Sequence, residues 1–67
     1  MKTITANSKT YSIQENATLA EFLSQLQIKT QWVVVERNGE PIAREEFAKT
    51  SLNEGDRLEI VTPIAGG

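Results

Sequence analysis

Thr18-Leu19-Ala20-Glu21-Phe22-Leu23-Ser24-Gln25-Leu26 is the stretch on which the reading of the fold turns. Thr18 is of the residue type that caps a helix, and Glu21 stands three residues on. Together they make a capping box, in which each side chain accepts a hydrogen bond from the other residue's amide. Leu19, Phe22, Leu23 and Leu26 then fall at i, i+3, i+4 and i+7. That spacing lays one apolar stripe along a helix and leaves Glu21, Ser24 and Gln25 toward water. So short a helix does not hold together alone, so its stripe must pack on another layer. The helix is predicted to end near Gln27, because Thr30 and the aromatic and β-branched run beyond it favour a strand.

The flanking sequence supplies that layer. Upstream, Ile4 and Ala6 alternate with Thr3 and Thr5, and Tyr11 and Ile13 alternate with Thr10 and Ser12. Asn7-Ser8 between them is a tight-turn signal, so residues 2–14 read as a β-hairpin. Downstream, Trp32-Val33-Val34-Val35-Glu36 is the strongest strand signal in the chain, and Asn38-Gly39 marks a hairpin turn. Pro41-Ile42-Ala43-Arg44 reads as the return strand, at a sheet edge because Pro41 has no N–H to give. Glu45 to Thr50 has no strand period and reads as a helical turn anchored by Phe47. The turn cluster Asn53-Glu54-Gly55-Asp56 precedes a last strand, Leu58-Glu59-Ile60-Val61-Thr62, which Pro63 ends.

The predicted order is β-β-α-β-β-β, with one helix to cover one sheet face. This is an α+β sandwich of two layers. The β-grasp arrangement suits it, with the first and last strands as parallel neighbours in the middle, since a parallel pair needs a crossover and the chain between them holds a helix. The expectation is a ubiquitin-like mixed sheet of four to five strands with one main helix on one face. The domain spans residues 1–63, and residues 64–67 form a loose tail.

Composition narrows the chemistry. In 67 residues there is no cysteine and no histidine, which removes thiol chemistry, disulfides, the usual neutral-pH base and the commonest metal ligand. The formal net charge is -2, with no block of one sign, which points away from nucleic acid and anionic membranes. The longest apolar run, Trp32 to Val35, is too short to span a bilayer. Met1 to Thr5 has no signal-peptide pattern, so the expected location is the cytoplasm. Ser8, Ser12, Ser24 and Ser51 lack a histidine to activate them, and Lys2, Lys9, Lys29 and Lys49 read as solvated. Glu45-Glu46 reads as a wet face and Asp56 as a brace of the Gly55 turn. No loop offers the six to eight oxygens calcium needs. The expectation is no catalytic residue, no metal and no bound cofactor.

The end of the sequence remains. With glycine at about 7% of residues, two at the last two positions arise by chance in roughly 0.5% of chains. Here Gly66-Gly67 comes one short step after the final strand. A carboxylate is a poor electrophile, and activating it with ATP takes another enzyme with an enclosed site. Glycine lacks a Cβ, so such an end can enter a narrow channel. From Pro63 to Gly67 an extended chain reaches roughly 17 Å.

These residues resemble the ThiS family of thiamin-biosynthesis sulfur carriers. The resemblance runs through the hairpin turning at Asn7, Ala17-Thr18-Leu19, Phe22-Leu23, Leu26, and Val33-Val34-Val35-Glu36 with Asn38-Gly39. It continues through Ile42-Ala43-Arg44, Gly55-Asp56-Arg57-Leu58-Glu59-Ile60-Val61 and Ile64-Ala65-Gly66-Gly67. Ser8 stands where glycine is common in the family, and Ala43 where proline often precedes the arginine. The resemblance implies that a ThiF-type enzyme adenylates the Gly67 carboxylate with ATP and Mg. A sulfur donor such as a cysteine desulfurase then makes it a thiocarboxylate, which gives its sulfur to thiazole synthase. It further implies that Gly66 provides clearance and that Ile64 and Ala65 line the partner's channel. The free chain is expected to be a monomer, and the sheet face opposite the helix is the expected docking surface. Trp32 fits either that face or, as aromatics at strand starts usually do, the core. The alternatives are the small subunit of molybdopterin synthase, a ubiquitin-like protein modifier and an interaction domain with an inert tail. The shorter chain and Asn38-Gly39-Glu40-Pro41-Ile42 favour the thiamin branch.

Overall fold

The structure, a computed structural model, describes residues 1–62. Its five strands are β1 (Lys2–Ala6), β2 (Lys9–Ile13), β3 (Val34–Arg37), β4 (Glu40–Ile42) and β5 (Arg57–Val61). One α-helix, α1 (Leu19–Gln25), and two 3-10 helices, Thr30–Trp32 and Arg44–Lys49, complete the order. The sheet runs β2-β1-β5-β3-β4. β1 and β5 are the parallel central pair, and the other pairings are antiparallel. This is the β-grasp topology expected from the sequence. β4, which carries Pro41, is at an edge, where the missing N–H of proline costs no ladder bond.

The capping box forms as read. Thr18 Oγ1 accepts from the Glu21 amide at 3.2 Å, and Glu21 Oε1 accepts from the Thr18 amide at 2.9 Å. Leu19, Phe22 and Leu23 are buried and Leu26 packs at the margin of the core. On the facing sheet Ile4, Ala6, Ile13, Val35, Leu58 and Ile60 are buried. Tyr11 meets Phe22 edge-on, with ring centroids 5.1 Å apart. Phe47, on the second 3-10 helix, closes the core, as its reading as an anchor required.

Two boundaries differ from expectation. α1 stops at Gln25 rather than near Gln27, because the chain turns back at once. The Ile28 amide donates to Leu23 O at 3.0 Å and the Gln27 amide to Ser24 O at 2.9 Å, the paired bonds of a Schellman motif. Gln27 holds φ +61° there, a left-handed angle at which a Cβ costs roughly 1–2 kcal/mol. Replacing it with glycine removes that strain at some loss of chain entropy, so Gln27→Gly is expected to stabilise by about 0.5–1 kcal/mol. A thermal melt checks this, and an unchanged Tm would show that the neighbours already relieve the strain. The second difference is Trp32. It lies in a 3-10 turn rather than a strand and is 63% exposed, so its reading as core is wrong. Val33, one residue later, fills the core instead.

Candidate functional site

The site is the end of the sheet from which the chain leaves toward its last residues, and its geometry is set by β5. β5 lies between β1 and β3, with Val34 opposite Val61 and Val35 opposite Ile60 on one side. On the other side the β1 pairing covers only Thr5↔Arg57 and Ala6↔Leu58. The asparagine of the first hairpin turn extends it. The Asn7 amide donates to Leu58 O at 2.9 Å, its Oδ1 accepts from the Ile60 amide at 2.7 Å, and its Nδ2 donates to Ile60 O at 3.0 Å. A side-chain amide thus imitates one further peptide of β1 and holds β5 one step closer to its exit.

The second turn asparagine does the same at the other end of β5. The Asn38 amide donates to Arg57 O at 2.8 Å, and its Oδ1 accepts from the Arg57 amide at 2.9 Å. Its Nδ2 donates to Asp56 Oδ1 at 3.1 Å. Asp56 is buried, and its other oxygen accepts from the Asn53 amide at 2.8 Å, with Arg37 Nη1 3.6 Å away. The reading of Asp56 as a turn brace holds, and the carboxylate also ties that turn to the β3–β4 hairpin. Both asparagines sit at positive φ, +51° and +52°, angles that asparagine tolerates better than other residues bearing a Cβ.

Asn7→Ala removes the clip and puts alanine at a left-handed angle. A loss of about 2 kcal/mol is expected, from the two hydrogen bonds and the backbone strain together. In a domain this size that lowers Tm by roughly 8–16 °C. A melt indistinguishable from that of the parent chain would show that water replaces the amide at no cost.

The face of the sheet away from α1 is open. Alternation places Val34, Glu36, Glu59 and Val61 there, and Val34 and Val61 are 56% and 59% exposed. Trp32, exposed in the 3-10 turn before β3, stands two residues ahead of Val34 in the chain. On the helix side, Ala6, Asn7, Lys9, Tyr11, Leu26, Ile28, Ile60 and Thr62 line an open cleft of about 440 Å³. Among the described residues no group of three or more His, Cys, Asp or Glu side chains is placed to hold a metal ion. Glu45 and Glu46 are exposed on the second 3-10 helix. No helix of the described residues is long and apolar enough to cross a membrane. The residues singled out at the chain end, Ile64, Ala65, Gly66 and Gly67, lie outside the described residues, as does the expected domain boundary at Pro63.

Comparison with known proteins assigns the chain. The family model of the ThiS family matches residues 1–67. The chain belongs to the ThiS family. This ThiS-family chain is 33% identical over 54 residues to the sulfur carrier protein ThiS of Bacillus subtilis, covering 81% of this chain and 82% of that one. The crystal structure of the thiamine biosynthesis protein ThiS from Geobacter metallireducens superposes with a TM-score of 0.81 at 34% identity. That match covers 97% of this chain and 99% of the other. The solution structure from the same organism gives 0.78 at the same identity, covering 97% and 87%. The chain is also 34% identical over 61 residues to a thiazole synthase of Paramagnetospirillum magneticum. That match takes in 91% of this chain but spans only 19% of that relative's length.

The residues that sequence reasoning missed are those acting through space. Asn7 and Asn38 were recognised as turn formers, but their clips reach 53 and 19 residues along the chain. The pairing of Val34 with Val61, which builds the open apolar face, depends on register between strands far apart in sequence.

Proposed function

We propose that this ThiS-family chain carries sulfur for thiamine biosynthesis on the terminal carboxylate of Gly67. A ThiF-type enzyme joins that carboxylate to the AMP portion of ATP, with Mg, and releases pyrophosphate. A sulfur donor, such as a cysteine desulfurase, supplies the sulfur that replaces AMP at the carbonyl carbon. The resulting thiocarboxylate is consumed by thiazole synthase. The chain is a co-substrate in this scheme, not an enzyme. ATP and Mg belong to the partner, and the free carrier is a cytoplasmic monomer.

The family match over residues 1–67, which includes Gly66-Gly67, carries this reading. The fold supports it in a specific way. β5 is clipped by asparagine amides near both its ends, so the body holds the last described strand in a fixed orientation. Gly66 gives clearance in a narrow channel, and Ile64 and Ala65 contact its walls. The likeness to part of a thiazole synthase supports that enzyme class as the acceptor.

The test is ATP–pyrophosphate exchange by a purified ThiF-type enzyme. Exchange is expected only when the carrier is present. Exchange that does not depend on the carrier, or lysine-linked conjugates in place of a sulfur-loaded end, would contradict the proposal.

A further inference from the structure

Of the four asparagines in the chain, Asn38 is the one followed by glycine. An asparagine loses its side-chain nitrogen when the backbone nitrogen of the next residue attacks its side-chain carbonyl carbon. A Cβ on that next residue crowds the approach, and Gly39 has none. The turn is also in water, since Asn38 and Gly39 are both exposed. Yet the amide that would react is held at both its atoms. Oδ1 accepts from the Arg57 amide at 2.9 Å, and Nδ2 donates to Asp56 Oδ1 at 3.1 Å. These bonds tie the side chain to the start of β5, whereas ring closure needs it free to turn. Asp56 is itself fixed. It is buried, its Oδ2 accepts from the Asn53 amide at 2.8 Å, and Arg37 Nη1 lies 3.6 Å away.

We propose that Asn38-Gly39 is a self-modification site, and that the Asp56 carboxylate both guards the amide and rejects the product. When the turn opens, the Gly39 nitrogen bonds to the Asn38 side-chain carbon. The bond from that carbon to Nδ2 breaks, and Nδ2 leaves as ammonia with the proton given up by Gly39. Water then opens the resulting five-membered imide at either carbonyl. One opening leaves aspartate at position 38, and the other leaves isoaspartate, with the chain running through the side chain. Nothing is oxidised or reduced, and water is the one co-reactant. Neither product fits the turn. Aspartate keeps an oxygen for the Arg57 amide, but it sets a second oxygen against Asp56 Oδ1 where a donor stood. Two carboxylates at that separation repel. Isoaspartate adds a backbone atom to the turn, which the Arg37↔Glu40 register does not accommodate. The carrier thus has a chemical lifetime set by how often this turn opens. A converted chain loses the clip at the start of β5, so it is drawn out of the folded pool.

The test has two parts. The full chain is incubated folded in buffer and unfolded in urea at the same pH and temperature, and peptide mapping by mass spectrometry follows the conversion of each asparagine. Asn38 is expected to convert first in urea, and at least about tenfold more slowly in the folded chain, where reaction waits on opening of the turn. Equal rates in the two states, or first conversion at Asn7, Asn16 or Asn53 in urea, overturns the proposal. The second part exchanges the two side chains. N38D reproduces the aspartate product and is expected to lower Tm by roughly 4–8 °C. D56N also lowers Tm, because two amide nitrogens then compete for one bond. N38D/D56N reverses the bond between the two side chains, with an amide at position 56 donating to a carboxylate at position 38. It also keeps an acceptor for the Arg57 and Asn53 amides, so it is expected to regain most of the loss. An N38D chain that melts like its parent overturns the proposal, because the product is then not rejected. A double variant that melts no higher than N38D overturns it as well, because the loss then does not come from the facing carboxylates.

Discussion

A chain lacking Gly67 is expected to lose all sulfur loading while melting at the same temperature as the full chain. The first half follows from chemistry. Shortening the chain by one residue moves the only carboxyl group of the terminus about 3.5 Å back from the reacting position inside an enclosed site. Misplacement of about 1 Å costs roughly a hundredfold in rate, so loading falls below detection. The second half follows from where the core ends. Among the described residues the last buried side chain is Ile60, and the pairing that holds β5 ends at Val61, opposite Val34. A differential melt beside a loading assay separates the two effects. A clear fall in Tm would mean that the terminal residues help to hold the fold, and retained loading would mean that sulfur is carried elsewhere.

The second large effect is on the fold. Leu58 is fully buried in β5, with Ala6 opposite on β1 and Arg37 opposite on β3. Leu58→Ala deletes its side chain from the centre of a small core, and such changes cost about 2–5 kcal/mol. The total stability of a domain this long is on the order of 3–10 kcal/mol, so the variant sits near or past the point of unfolding. Tm is expected to fall by at least roughly 8 °C. Loading is expected to fall with the folded fraction, since β5 orients the exit. A loss under about 1 kcal/mol would mean that α1 and the sheet close over the gap, and that the core is softer than its burial implies.

The contrast between these two variants reflects how the sequence encodes the molecule. Features set by neighbours in the chain were legible. Thr18 and Glu21 cap α1 because both bonds close within four residues. Asn38-Gly39 turns the hairpin because both residues accept positive φ. The edge position of Pro41 follows from its missing N–H. Features set across space were not legible. Trp32 carries the largest apolar side chain of its segment, and an aromatic at a strand start is usually core. The 3-10 turn Thr30–Trp32 replaces that start, and Val33 takes the buried place. Nothing local distinguishes Glu36 and Glu59 from any pair of wet carboxylates until β3 and β5 come into register. The same holds for Asp56, whose burial depends on a hairpin 18 residues away. The chemistry proposed for the chain end rests on other grounds. It depends on the terminal residues and on a partner, and hardly on how this body packs.

The claim that the last residue is the sulfur-bearing atom's address is tested most directly by intact-mass and fragment mass spectrometry after incubation with the ThiF-type enzyme, ATP, Mg and a sulfur source. The account predicts that one oxygen is replaced by sulfur and that the change maps to the C-terminal fragment ending at Gly67. Sulfur found on any other residue, or an unmodified end under conditions where the enzyme consumes ATP in the presence of the carrier, would contradict it.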